Sequence, residues 1–235
     1  MNLGIFDLLM PVFVFIIAIL YLPITLITLL KNRRFSDLTS WQTFRHAWFF
    51  HFWHFFGWAS RPLYAPDVEK ILSAARGVVI DVGSGSGDWL YLLSEARNKN
   101  IVKIYLVEPN PEFYPVLQRR VKELGLVRKC LIVKWVEDLE MLGVQPGTVY
   151  KVCTINVLCS VEDSKPLIKV LYQYLKPAGQ WLVYEHVKAE RRSVAGVLQE
   201  DLLLQSGKWN MTDLRPGANE SSFAQMPHIV GILEK

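Results

Sequence analysis

One stretch constrains this chain more than any other: Val78-Val79-Ile80-Asp81-Val82-Gly83-Ser84-Gly85-Ser86-Gly87. Four apolar β-formers around one acid read as a buried parallel strand. Glycine then occupies every second position. A strand that turns sharply beneath a ligand needs residues without Cβ, which reach positive φ and let the backbone approach closely. The next residues, Trp89-Leu90-Tyr91-Leu92-Leu93, open a predicted helix whose free amides face a polar or anionic group. Glycines alone also suit an ordinary tight turn, so the context has to decide.

The context is a second apolar run, Ile101 to Val107, ending in Glu108, Pro109 and Asn110. Glu108 lies 21 residues after Gly87. At that distance an α/β fold brings a second-strand acid beside a ribose diol, where it can accept from both hydroxyls. The glycine order is G-x-G-x-G, with Asp81 two residues ahead, and not the G-x-G-x-x-G of dinucleotide loops.

The 235 residues suffice for one domain with an appendage. The apolar fraction of 51% is high, and the excess sits in the first 58 residues. A net charge of +4 is diffuse and shows no arginine-rich stripe, so nucleic acid is not an expected partner. An anionic membrane surface is. Three cysteines, Cys130, Cys153 and Cys159, give no disulfide framework.

Leu8 to Leu30 carries no charge and would reach ~35 Å as a helix, enough for a bilayer core of ~30 Å. Pro11 and Pro23 interrupt it, so a crossing helix and a re-entrant one both remain open. Lys31, Arg33 and Arg34 follow, which predicts a cytosolic body. Trp41 to Trp58 is crowded with rings and holds His46, His51 and His54, and reads as an interfacial helix. The His spacing does not suit a metal, and no metal site is expected. Arg61 to Pro66 reads as a linker and Asp67 as the cap of a short helix, Val68 to Ala75. Three segments result: an anchor over 1–34, an aromatic helix and linker over 35–66, and a catalytic domain over 67–235.

From Val78 onward strands alternate with helices, which predicts an α/β fold: a parallel sheet with helices on both faces. Further predicted strands are Cys130–Val136, Tyr150–Asn156, Gln180–His186 and His228–Leu233, and helices Pro111–Leu124, Leu167–Leu175 and Val194–Leu204. Ligands bind such sheets beyond the carboxyl ends of the strands. The third end offers Glu137, Asp138 and Leu139, as adenine contacts or as first-turn helix charges. The fourth offers Asn156, Val157 and the loop through Ser160, including Cys159 as a nucleophile or a packing residue. The fifth offers Glu185 and His186 as proton acceptors or as an exposed pair, and His228 could face the same site.

Taken in order, DVGSGSG, LVEPNP, VED, CTINVLCSV, LKPAG, YEHV and the terminal PHIVG resemble a Rossmann-like class I S-adenosylmethionine-dependent methyltransferase. The pieces are most similar to the small membrane-anchored alkyl thiol S-methyltransferases. The resemblance covers Val78 to His186 and the last eight residues. It implies that Gly83, Ser84, Gly85 and Gly87 line the methionine part of S-adenosylmethionine, with Asp81 near its amino group. It implies that Glu108, with Pro109 and Asn110, holds the ribose, although that family more often has Asp there. Asp138 and Leu139 would hold the adenine. By its place at a strand end, Asn156, with Val157 beside it, would sit over the methionine part or the incoming nucleophile. Glu185, His186 and Asn156 are the expected catalytic residues. The implied acceptor is a small lipophilic thiol, and the implied location is the endoplasmic reticulum membrane or lipid droplets. Oxygen, nitrogen or carbon methylation, or cofactor binding without turnover, are the alternatives. Arg191 to Ser222 departs from the family pattern, where a helix, a sixth strand and part of the acceptor pocket are expected.

Overall fold

A computed structural model describes residues 3–186, 209–218 and 228–235. The chain begins with helix α1 (Leu3–Lys31), which runs through both Pro11 and Pro23. Its Pro11–Lys31 portion has a mean hydropathy of 2.7 and is long and apolar enough to cross a membrane. A short helix, α2 (Phe35–Thr39), leads into α3 (Trp41–Leu72). The Ser40 hydroxyl caps α3 by accepting from Thr43 N. α1 packs on α3: the Trp48 indole donates to Ala18 O at 2.7 Å, and Tyr21 meets Phe52 and Phe55.

α3 corrects two expectations. The predicted linker at Arg61 to Pro66 is helical, and Asp67 is not a cap. Pro62 and Pro66 stand one turn apart on the exposed side, so the backbone bonds they remove fall where the carbonyls can be solvated. Asp67 is buried and accepts from Arg215 Nη2 and Ala218 N, each at 2.6 Å. The same helix therefore carries the aromatic segment and the start of the catalytic domain, and no hinge divides them at residue 66.

Among the described residues one sheet forms. β1 (Gly77–Val82), β2 (Ile101–Val107), β3 (Cys130–Val133), β4 (Val149–Ile155) and β5 (Leu175–His186) are parallel. β7 (His228–Glu234) pairs antiparallel with both β5 and β6 (Asn210–Pro216), giving the order β3-β2-β1-β4-β5-β7-β6. The sheet separates two apolar cores by side-chain alternation. Ile80, Trp181 and Val183 enter the core that holds Leu139, Ile168 and Leu171 of α5 (Asp138–Met141) and α6 (Ser164–Tyr174). Val79, Leu182 and Val230 enter the other, with Val68, Ile71 and Leu72 of α3 and Leu117 and Val121 of an intervening helix, α4 (Tyr114–Glu123).

Other boundaries differ from expectation. The helix predicted from Trp89 is only a 3₁₀ turn, Leu90–Leu93. The end of α3 occupies the sheet face that a longer helix would cover, and β2 starts at Ile101. The departing segment does contain a sixth strand, β6, which its irregular pattern conceals. The predicted helix Val194–Leu204 lies outside the described residues.

Candidate active site

The strand order reverses between β1 and β4, and the glycine bend sits at that point. Gly83, Gly85 and Gly87 have φ of +66°, +52° and +72°. A Cβ on Gly83 would lie 2.6 Å from Val157, so the bend admits no side chain there. Glu108 clasps the bend from the end of β2. Its Oε2 accepts from Gly85 N and its Oε1 from Asn110 N, both at 2.8 Å. Asn110 in turn donates its amide to His46 O of α3 at 3.0 Å. Pro109 lies between Glu108 and Asn110 in this turn.

Desolvation raises the Glu108 carboxyl, and the two amides partly offset it. Asp81 is pushed up to about 7 by desolvation, with the Glu108 charge adding and the Ser84 hydroxyl opposing. Among the described residues no lysine or arginine contributes to either acid. The two acids flank the bend, and Arg120 packs against Gly87 and faces Asp88 at 3.8 Å.

At the end of β4, Asn156 adopts a φ of +56°, its N–H held by Tyr184 O at 2.8 Å. Its Oδ1 is buried without a hydrogen-bond partner among the described residues. Glu185 corrects an expectation. It is buried, and its carboxylate accepts from the amides of Val157 and Leu158 at 3.0–3.1 Å. It therefore shapes the loop after β4 and is directed at backbone, not at an acceptor. Cys159 is not activated either, since desolvation and then Glu185 raise its thiol. His186 pairs in register with His228, and their ring centroids are 3.9 Å apart.

Burial pushes Glu185 up to about 7 from 4.5, against the opposing amides and the Thr154 hydroxyl. A raised acid keeps its proton in the fold where the unfolded chain has released it. Its contribution is therefore complete below 4.5 and is lost as pH rises to about 7, on the order of 3 kcal/mol in full. Chemical denaturation of the full chain should show stability falling over that interval, and Glu185→Gln should flatten the fall. An unchanged slope in the variant would reject the assignment.

The remaining wall comes from α3. Trp53, Gly57, Ser60 and Tyr64 line a cleft together with Gly83, Ser84, Ser86, Asp88, Trp89, Ile155 and Asn156. The cleft is shallow and open-mouthed, with about 40 Å³ enclosed. His54 Nδ1 meets the Ser86 hydroxyl at 2.8 Å, which fastens the helix to the bend. The α3 residues escaped the sequence reading, although Trp53, Gly57, Ser60 and Tyr64 follow helical spacing with two small residues among rings. Of the expected cofactor residues, Gly83, Ser84 and Asn156 line this cleft, whereas Asp81, Gly85, Gly87, Glu108, Pro109, Asn110, Asp138, Leu139 and Val157 do not. Asp138 Oδ2 accepts from Trp135 N at 2.9 Å as a first-turn charge of α5, and Leu139 is buried in the core. Its N–H donates to Val136 O.

The residues fit a cationic nucleoside. Two acids beside the bend suit a ligand carrying ammonium and sulfonium charge, the side-chain-free bend admits it, and the buried Asn156 oxygen can accept from it. The order β3-β2-β1-β4-β5-β7-β6 with an antiparallel β7 is the class I methyltransferase sheet. The methyltransferase domain family matches residues 56–225, and the chain belongs to that family, whose cofactor is S-adenosylmethionine. Thiol S-methyltransferase TMT1B of Rattus norvegicus is 33% identical over 101 residues, 43% of this chain and 41% of that protein. The Mus musculus protein of the same name is 26% identical over 136 residues, 57% of this chain and 53% of that protein. The chain thus spans about half the length of the curated relatives it matches. Among solved structures, a SAM-dependent methyltransferase from Aquifex aeolicus superposes with a TM-score of 0.54 at 19% identity, covering 74% of this chain and 92% of that one. The [4+2]-cyclase SpnF gives 0.59 at 16%, covering 75% and 81%. Such likenesses show the fold, and the cyclase illustrates that the sheet alone does not fix the chemistry.

Proposed function

We propose that this chain methylates a small lipophilic thiol at a membrane surface, using S-adenosylmethionine. One observation carries the reading: the wall of the cleft and the apolar N-terminal helix belong to one packed helical unit. Rings exposed on that unit, Phe35, Trp41, Phe55 and Trp58, suit the headgroup layer. An acceptor dissolved in lipid meets the cleft from that side. The partial likeness to thiol S-methyltransferases favours sulfur as the acceptor atom. The basic flank is weaker evidence of orientation than its sequence suggests, because Arg34 is engaged by Asp37 and Glu112. Lys31 and Arg33 still favour a cytosolic catalytic body, on the endoplasmic reticulum or a lipid droplet.

When bound, S-adenosylmethionine supplies a methyl already activated as a sulfonium, so the protein's task is alignment. In this reading Asp81 and Glu108 hold the cofactor's amino and ribose groups, and Asn156 borders the reacting centre. A thiol must release its proton as the carbon–sulfur bond forms. The His186–His228 pair, on the carboxyl edge of the sheet and beside Tyr64, is the proton acceptor we assign.

The test is an acceptor pair of equal chain length, an alkanethiol and the matching alcohol, offered to the full chain in vesicles with methyl-labelled cofactor. Label should enter the thioether at least about 100-fold faster, because a thiol ionises at far lower pH than an alcohol. Equal rates would overturn the thiol preference, and label in neither would favour a cofactor-binding protein without turnover.

A further inference from the structure

We propose that the indole N–H of Trp53 holds the methionine carboxylate of S-adenosylmethionine, which makes the aromatic helix α3 part of the cofactor site. The inference rests on S-adenosylmethionine being the cofactor, and it starts from a charge mismatch. The ligand's amino-acid end carries a carboxylate, yet the described cleft lining contains Asp88 and no lysine or arginine, and the nearby Arg120 is engaged by Asp88 at 3.8 Å. The bend is not followed by an α-helix whose first amides could receive an anion, only by the turn Leu90–Leu93. The carboxylate needs neutral donors. The hydroxyls of Ser60 and Ser84 already donate to the carbonyls of Phe56 and Asp81.

Trp53 is placed to serve. Its Nε1 lies 3.7 Å from where a Cβ on Gly85 would stand, directly over the middle of the bend. It makes no hydrogen bond to protein among the described residues. Its orientation is fixed by the ring of Phe49, stacked at 5.8 Å and 8°, and by Phe52 and Phe56. Gly57, one turn on, explains how the indole comes so close: a Cβ there would lie 3.3 Å from Trp53 Nε1 and 3.4 Å from Asp88 Oδ2. A glycine inside a helix costs about 1 kcal/mol relative to alanine, and this contact supplies its reason. The arrangement leaves Asp81 for the ammonium group and the indole for the carboxylate. The indole face beside a ligand cation adds a cation–π attraction.

The experiment compares two ligands on the full chain in detergent or lipid nanodiscs: S-adenosylmethionine, and 5′-methylthioadenosine, which keeps the nucleoside and lacks the amino acid. Trp53→Phe preserves the ring stack and removes the N–H. It should weaken S-adenosylmethionine binding about 10- to 100-fold, the range for a lost bond to a charged group, and leave 5′-methylthioadenosine within about twofold. Trp53→His, which restores a ring donor, should regain part of the loss. Equal losses for the two ligands, or none for either, would make Trp53 a packing residue and overturn the assignment. Wild-type protein that binds neither ligand would overturn the cofactor reading itself. Glu108→Ala separates the two claims, because it acts through the ribose and should weaken both ligands together.

Discussion

Replacing Glu108 by alanine should lower the affinity for S-adenosylmethionine by at least about 100-fold. Two independent losses combine. The carboxylate that would receive the ribose diol is gone. The clasp between β1 and β2 is gone as well, since Gly85 N and Asn110 N both donate to this side chain. Each stranded buried amide costs about 1–3 kcal/mol, so the apo protein should also melt several degrees lower. Glu108→Gln keeps the shape and one acceptor, and should recover the melting temperature more fully than the affinity. Equilibrium dialysis of the two variants beside the wild type reads this directly. Wild-type affinity in the alanine variant would remove Glu108 from the site.

The second large effect concerns the N-terminal helices, of which α3 packs on the sheet and α1 packs on α3. Deleting residues 1–30 removes the apolar helix but leaves α3 on the sheet. That variant should leave the membrane fraction, keep a cooperative melt and still bind cofactor. Its contacts at Ala18 and Tyr21 are lost, whereas His54, Asn110 and Asp67 keep their partners. Deleting residues 1–72 should abolish folding. Val68, Ile71 and Leu72 are at most 2% exposed, and burial of each is worth about 1.5–3 kcal/mol. Their sum competes with a whole-domain stability of ~5–15 kcal/mol. Membrane sedimentation and thermal melts of both truncations check the division. A shorter variant that stays wholly in the membrane fraction would shift anchoring to the aromatic rings of α3. A folded longer variant would contradict the packing.

The parts of the site that depend on backbone chemistry were legible in the sequence. Alternate glycines after an apolar strand have few uses, and all three adopt positive φ. Glu108 was legible because a strand end followed by Pro109 and Asn110 fixes its place. What stayed hidden was decided by tertiary packing. Pro62 and Pro66 signal a break, but a pair on one exposed face can sit inside a helix supported along its other side. Asp67 has the composition of a cap and instead meets Arg215, 148 residues away. Glu185 looked like a base until its burial turned its oxygens onto two amides. Trp53 was one ring among many, and only the docking of α3 distinguishes the face that meets the bend. β6 has no clean alternation because it is an edge strand paired on one side.

On this reading a cationic nucleoside sits on the glycine bend after β1, with Glu108 at its ribose. Equilibrium dialysis of methyl-labelled S-adenosylmethionine against the full chain in lipid nanodiscs tests it most directly. One saturable site per chain, displaced by S-adenosylhomocysteine and lost in Glu108→Ala, is the expected result. Absence of saturable binding, or a site indifferent to that substitution, would contradict it.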